Sequence, residues 1–174
     1  MADRSDSVKG LAPYGWVTAI AGAADLVRLV PEAVGVRNGN SLYTLLVCGD
    51  LAAGVFAAVA GVALVRGRRW APAAAAPAWG YFLGNSTGMI WSIGWFFLSR
   101  RGELPGLEDR EFRILMPRIL FYALSALIAP FIVGMVIMRG AAPGERKEHF
   151  LSLVVGLIVG AATAGLFIYL RHLK

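Results

Sequence analysis

The chain has 174 residues, of which 57% are hydrophobic and only 16% are charged, and its mean hydropathy is +0.63. Soluble domains average about 45–50% apolar and about 25% charged residues, so this composition favours a membrane protein. The net charge is +6, but the basic residues gather at the ends of apolar segments, as in Arg66, Arg68 and Arg69. Such flanking charges anchor membrane spans among phospholipid head groups, and this pattern argues against nucleic acid as a partner.

The first apolar segment, residues 11–36, contains three ionisable side chains, Asp25, Arg28 and Glu32. On a helix they fall on the face opposite an apolar stripe that includes Trp16. A central Asp or Arg costs about 2.5–3.5 kcal/mol on insertion, so the segment either lies flat at the interface or spans with its charges paired inside a bundle. Interfacial helices usually have polar faces rich in Lys and Arg, whereas this face has two acids and one base. We therefore expect it to span.

The rest of the chain contains four further apolar stretches with almost no charge, each about as long as a spanning helix. They are residues 42–65, 71–98, 114–138 and 150–170. We therefore predict one polytopic membrane domain, 1–174, that is an all-α bundle of five transmembrane helices. The alternative is four spans plus an N-terminal amphipathic interfacial helix, which the distribution of Lys and Arg between the two membrane sides favours.

Polar residues in several segments are predicted to share one depth in the bundle. If the two helices flanking residues 37–40 both span, Asp50 lies level with Arg28, so that an acid in one helix meets a base in the next. Positions equally far from a loop lie at the same depth in the two helices that flank it. For the loop at 66–70, this rule brings the third segment to the level of Asp50. The predicted polar layer comprises Asp25, Arg28, Asp50, Asn85, Ser86 and Thr87, with Ser125 and Thr163 near the centres of the last two segments.

Small residues recur every four positions on three segments, a pattern that lets helix backbones approach closely in lipid. The first ridge is Gly49, Ala53, Ala57 and Gly61, the second is Gly80, Gly84, Gly88 and Ser92, and the third includes Gly156 and Gly160. We expect these ridges to pack the bundle internally, or alternatively to join copies of the protein. The deeper aromatic residues Trp79, Tyr81 and Trp91 are expected to pack or to face lipid.

The sequence contains no pattern that predicts an enzyme, a metal site or a cofactor. His149 and His172 lie at opposite ends of one predicted helix, too far apart to ligate one metal. Gly84-Asn-Ser-Thr-Gly88 resembles a nucleophile elbow only superficially, because it lies in the middle of a span with no histidine at its depth. The single cysteine, Cys48, is expected to be a small core residue.

Two functions from different classes remain open. The first is a non-catalytic subunit or scaffold of a membrane assembly, with the lipid bilayer, other membrane subunits or further copies as partners. The second is a small transporter or an oligomer that conducts ions or protons through the polar layer. The chain is short and lacks a repeated half, which favours the subunit. The abundance of Ala, Gly and Arg is compatible with a bacterial inner-membrane protein.

Overall fold

The computed structural model describes residues 10–35, 41–99 and 144–172, together with individual positions between 120 and 141. The continuous parts form four α-helices: α1 (Ala12–Gly35), α2 (Ser41–Val65), α3 (Ala71–Ser99) and α4 (Arg146–His172). The scattered described positions from 120 to 140 are also helical. The described chain is thus all-helical, as its long uninterrupted apolar segments predict.

The prediction of five transmembrane helices is wrong, and so is the alternative of four spans with an interfacial helix. Among the described residues only Ser41–Val65 and Arg146–Leu170 are long and apolar enough to cross a membrane. Helix α1 falls short because it contains charges in its middle. Helix α3 carries no charge but includes Pro77 and a run of polar residues beginning at Asn85. Its hydropathy is therefore lower than the prediction from its lack of charge assumed. The predicted span 114–138 and the turn 37–40 lie outside the continuously described residues.

Helices α1 and α2 pack antiparallel along facing glycines. A Cβ added to Gly22 would collide with the backbone at Gly54 and Ala58, and one added to Gly15 would collide with the backbone at Gly61. The contacts therefore run in opposite directions along the two helices. Without side chains at these points, the two backbones approach closely enough for van der Waals packing to replace the hydrophobic effect.

A glycine ends α2 and turns the chain into α3. Gly67 adopts a positive φ of 64°, and the amide of Arg68 donates to the carbonyl of Ala63 over 2.9 Å. This six-to-one hydrogen bond with a left-handed glycine is a Schellman motif, which satisfies carbonyls at the helix end. The turn is short, so α3 returns beside α2.

Helices α3 and α4 pack parallel to each other. Gly80 and Gly84 lie against the backbone at Leu153 and Leu157 in the same order along both chains, and Gly160 lies against the carbonyl of Tyr81. Two helices joined by a connection that itself contains helical positions can run parallel. The glycine faces of both helices meet, which brings the centre of α4 to the polar centre of α3.

The interior between the helices is built mainly from alanine. Buried alanines occupy one face of α2 and most of the first half of α3, and the larger buried side chains include Trp79 and Phe82. The alanines are Ala57, Ala60, Ala63, Ala71, Ala74, Ala75, Ala76 and Ala78. Small side chains keep the helices close together, and polar groups at the centre are therefore sealed from their surroundings.

Candidate functional site

Helix α1 is arranged inside out relative to a helix of a soluble protein. Its apolar stripe faces outward, with Val27 71% exposed, while Asp25 on the opposite face is only 4% exposed. Trp16 and Ile20 lie on the same outward stripe. In water this arrangement would expose apolar area and bury charge, both of which are unfavourable. It is the arrangement expected of a helix whose surroundings are apolar.

Arg28 lies between two buried carboxylates from different helices. Its Nε donates to Oδ1 of Asp25 over 2.9 Å, and its Nη2 lies 2.9 Å from the same oxygen. The same Nη2 lies 3.5 Å from Oδ2 of Asp50 on α2. Asp50 is only 1% exposed. The guanidinium therefore connects α1 to α2 by an ion pair that little water can screen.

Helix α3 completes the surroundings of Asp50 with two donors. The hydroxyl of Tyr81 donates to Oδ1 of Asp50, and the amide of Asn85 donates to the same oxygen over 3.3 Å. Tyr81 and Asn85 are one helical turn apart and both are buried. Thr163 of α4 places its hydroxyl near that of Tyr81. We call Asp25, Arg28, Asp50, Tyr81 and Asn85 the polar cluster.

The polar cluster has more negative than positive charge when all its groups are ionised in the ordinary way. Asp25 and Asp50 together carry two negative charges against one positive charge on Arg28. Two buried oxygens, Oδ2 of Asp25 and Oδ1 of Asn85, have no hydrogen-bond partner in the described chain. A buried polar atom without a partner costs about 1–3 kcal/mol, so these atoms indicate capacity for a further proton or donor.

The structure brings together four of the six residues that the sequence assigns to the polar layer. Asp25, Arg28, Asp50 and Asn85 are members of the cluster. Ser86 is buried, and the described hydrogen bonds to Asp50 come from Tyr81 and Asn85. Thr87 is exposed and donates to the carbonyl of Leu83 over 2.7 Å within its own helix. Ser125 lies outside the described residues.

Tyr81 is the member of the cluster that sequence reasoning missed. The sequence predicts that Tyr81 packs or faces lipid, whereas its hydroxyl donates to a buried carboxylate. Its position four residues before Asn85 places both side chains on one helix face, which is the signal that could have found it. A buried tyrosine also needs a partner for its hydroxyl.

A second buried polar contact links α1 to α3 through residues outside the polar cluster. The indole N–H of Trp79 donates to the hydroxyl of Thr18 over 2.9 Å, and that hydroxyl donates to the carbonyl of Tyr14 over 2.7 Å. Both side chains are almost fully buried. This contact satisfies two polar groups without introducing charge.

The predicted small-residue ridges differ in what they contact. Gly80, Gly84, Gly88, Gly156 and Gly160 lie at the α3–α4 contact, and Gly61 lies at the α1–α2 contact. The other three members of the predicted α2 ridge do not line the α1–α2 contact together with Gly61. Ala57 is buried and Ala53 is partly buried, whereas a Cβ on Gly49 would meet nothing within 4 Å. Ser92 lies in α3, and its side chain is outside the description. Cys48, predicted to be a core residue, is exposed.

No protein-family model matches the chain, and no curated protein or solved structure is similar enough to it to count as a match. The helices and the polar cluster are therefore the features of the molecule that bear on its function.

Proposed function

We propose that this chain is a multi-pass protein of the bacterial inner membrane that acts as a non-catalytic subunit or scaffold of a membrane assembly. The observation that carries the proposal is the inside-out arrangement of α1, with apolar residues outward and Asp25 inward. A helix of this kind is stable where apolar surroundings cover its outer face. Lipid and the helices of partner subunits both provide such surroundings.

The outer faces of the two candidate spans support the same conclusion. Helix α2 exposes Phe56 and Val59, and α4 exposes Ile158 and Val159. A soluble monomer rarely exposes large contiguous apolar patches. The two helices are long and apolar enough to cross a membrane, and their exposed faces are compatible with contact to lipid or to other helices.

The close packing of the helices favours the function of a scaffold rather than that of a channel. Glycines of α3 and α4 lie against the backbone of the opposite helix, and the polar cluster is enclosed by side chains that leave Asp50 1% exposed. A conducting pathway requires polar groups that water or substrate can reach. Ionic and amide groups buried between closely packed helices commonly fix the register of those helices.

Cys48 provides a direct test, because it is the single cysteine of the chain and is exposed on α2. The full-length chain would be cross-linked through this thiol in its native membranes and then extracted in lipid nanodiscs. A subunit gives a cross-linked product with a second polypeptide at fixed stoichiometry, and Cys48→Ser removes that product. Chains that are cross-linked only to themselves, or not at all, contradict the subunit proposal.

The second candidate is an oligomer that conducts protons, and the two buried carboxylates of the polar cluster favour it, because intramembrane acids commonly belong to proton pathways. Purified protein reconstituted in liposomes distinguishes the two functions. A conductor gives proton flux that Asp50→Asn abolishes and that Thr87→Val, outside the cluster, leaves unchanged. A subunit gives no flux in either form.

A further inference from the structure

A cleft opens at the end of α2, where the chain turns into α3. Its volume is about 340 Å³, and it lies at one end of the candidate span Ser41–Val65. The apolar part of the cleft is formed by Val59 and Val62 beside two alanines, and the polar part by Arg66 and Arg68. Unlike the polar cluster, which is buried, the two valines and two arginines of this cleft are exposed.

The apolar part of the cleft leads along α2 to a guanidinium. Val59 and Val62 are three residues apart, so they lie on one helix face. The amide of Arg66 donates to the carbonyl of Val62 over 3.0 Å, so the helical hydrogen bonds continue to Arg66 and keep it on that face. The strip from Val59 to Arg66 is about 10 Å long at the rise of an α-helix. A phospholipid has the same order, an apolar acyl chain that leads to a charged head group.

The polar part of the cleft stands on a fixed turn. The amide of Arg68 donates to the carbonyl of Ala63 over 2.9 Å, and the carbonyl of Arg68 accepts from the amide of Ala71 over 3.1 Å. Within the described part of the chain, neither Arg66 nor Arg68 forms an ion pair. A guanidinium binds phosphate oxygens through paired N–H donors. Trp70 also lines the cleft and is exposed, and indole rings favour the level of the head groups in a membrane.

We propose that the cleft binds one anionic phospholipid, with its phosphate against Arg66 and Arg68 and an acyl chain along Val59 and Val62. Charge complementarity selects this occupant, because a zwitterionic head group brings its own cation towards two guanidiniums. A free phosphate would leave the two valines uncovered. The proposal rests on the membrane location in the proposed function, and it is independent of the role as a subunit.

Native mass spectrometry tests the site on the full purified chain, released from nanodiscs that contain phosphatidylglycerol and phosphatidylcholine in equal amounts. The wild type is expected to retain one phosphatidylglycerol in preference to phosphatidylcholine. Arg66→Gln and Arg68→Gln should each weaken this retention by about tenfold, because each removes charge-assisted hydrogen bonds to the phosphate.

Arg69→Gln is the matched control for these variants. Arg69 is an exposed arginine of the same turn, but it does not line the cleft, so the variant should retain the lipid as the wild type does. All three variants should unfold like the wild type in micelles without anionic lipid, because the three side chains are exposed. Adding phosphatidylglycerol should then raise the melting temperature of the wild type and of Arg69→Gln more than that of Arg68→Gln.

A second pair of variants tests the apolar part of the cleft. Val59→Gln should weaken retention of phosphatidylglycerol, whereas Val155→Gln, at an exposed valine of α4, should not. Inorganic phosphate added before release should leave the lipid bound, because phosphate makes no contact with the valines.

Several results would overturn the site. Equal retention of the two lipids by the wild type excludes selection of an anionic head group, and equal losses in Arg68→Gln and Arg69→Gln indicate diffuse attraction to the membrane surface. Displacement of the lipid by inorganic phosphate identifies a site for a free anion instead. A chain that remains soluble without detergent or lipid overturns the membrane location as well, so failure of the site and failure of the proposed location are distinguishable.

Discussion

The α1–α2 pair and the α3–α4 pair are both held by glycines, but only the first carries charge at its contact. In α3–α4, Gly84 lies against the backbone of Leu157, and neither of these two residues is ionisable. In α1–α2, the glycine contact continues into the ion pair between Arg28 and Asp50. The comparison indicates that close packing suffices to join two helices, and that the charges serve mainly to offset one another. Changes at the two contacts should therefore differ in their dependence on pH.

The largest effect is expected from filling the uncharged contact. Gly84→Leu should destabilise the protein by about 3 kcal/mol or more, because the new side chain collides with the backbone of α4 and separates two helices. Unfolding in mixed detergent micelles would measure the change. Gly165→Leu is the matched control, since a Cβ on Gly165 meets nothing within 4 Å. Equal losses in both variants would contradict this packing.

The next largest effect is expected from removing the base of the charged contact. Arg28→Gln leaves Asp25 and Asp50 without their guanidinium and should cost about 3–5 kcal/mol at neutral pH. The loss should shrink as the pH is lowered, because protonation then neutralises the carboxylates, whereas the loss in Gly84→Leu should not change with pH. Arg68→Gln, at an exposed arginine, is the control. A loss for Arg28→Gln that is independent of pH would show that its charge is not buried with these acids.

A smaller effect is expected at the neutral contact between α1 and α3. Trp79→Phe removes the hydrogen bond from the indole to Thr18 and should destabilise the protein by about 1 kcal/mol. Trp91→Phe should have almost no effect, because Trp91 is 75% exposed. Thermal unfolding in nanodiscs compares the two. Similar melting temperatures for both variants would contradict a structural role for the bond.

The smallest effect is expected within the sequence-predicted polar layer itself. Thr87→Val should change the unfolding free energy by less than about 0.5 kcal/mol, since Thr87 is exposed and bonds only within its own helix. The same unfolding titration gives the value. A loss comparable to that of Arg28→Gln would place Thr87 among the groups that hold the helices together.

The sequence was informative where two helices are neighbours along the chain. The depth of Asp50 relative to Arg28 follows from their distances to one short turn, and a buried acid needs a base. The pairing of α3 with α4 could not be predicted in this way, because a long segment separates them and many arrangements of small-residue ridges are possible.

The membrane assignment shows a different limit of sequence reasoning. Counting charges identifies α2 and α4 as candidate spans. It also selects α3, whose alanines, glycines and polar residues make it less apolar than its lack of charge implies. The sequence predicts the polar face of α1. In the structure that face meets Asp50 of α2, and Tyr81 and Asn85 of a third helix, α3, donate to the same carboxylate. Periodicity places Tyr81 and Asn85 on one helix face, but only the side-chain positions show that both donate to Asp50.

The most direct test of this account is a double-mutant cycle on Arg28→Gln and Asp50→Asn, measured by unfolding in lipid. If the guanidinium and the carboxylate stabilise each other across the α1–α2 contact, the double variant should lose at least about 1 kcal/mol less than the sum of the single losses. Losses that add to within about 0.5 kcal/mol would mean that the two groups do not interact, and the polar cluster would not be the link between these helices.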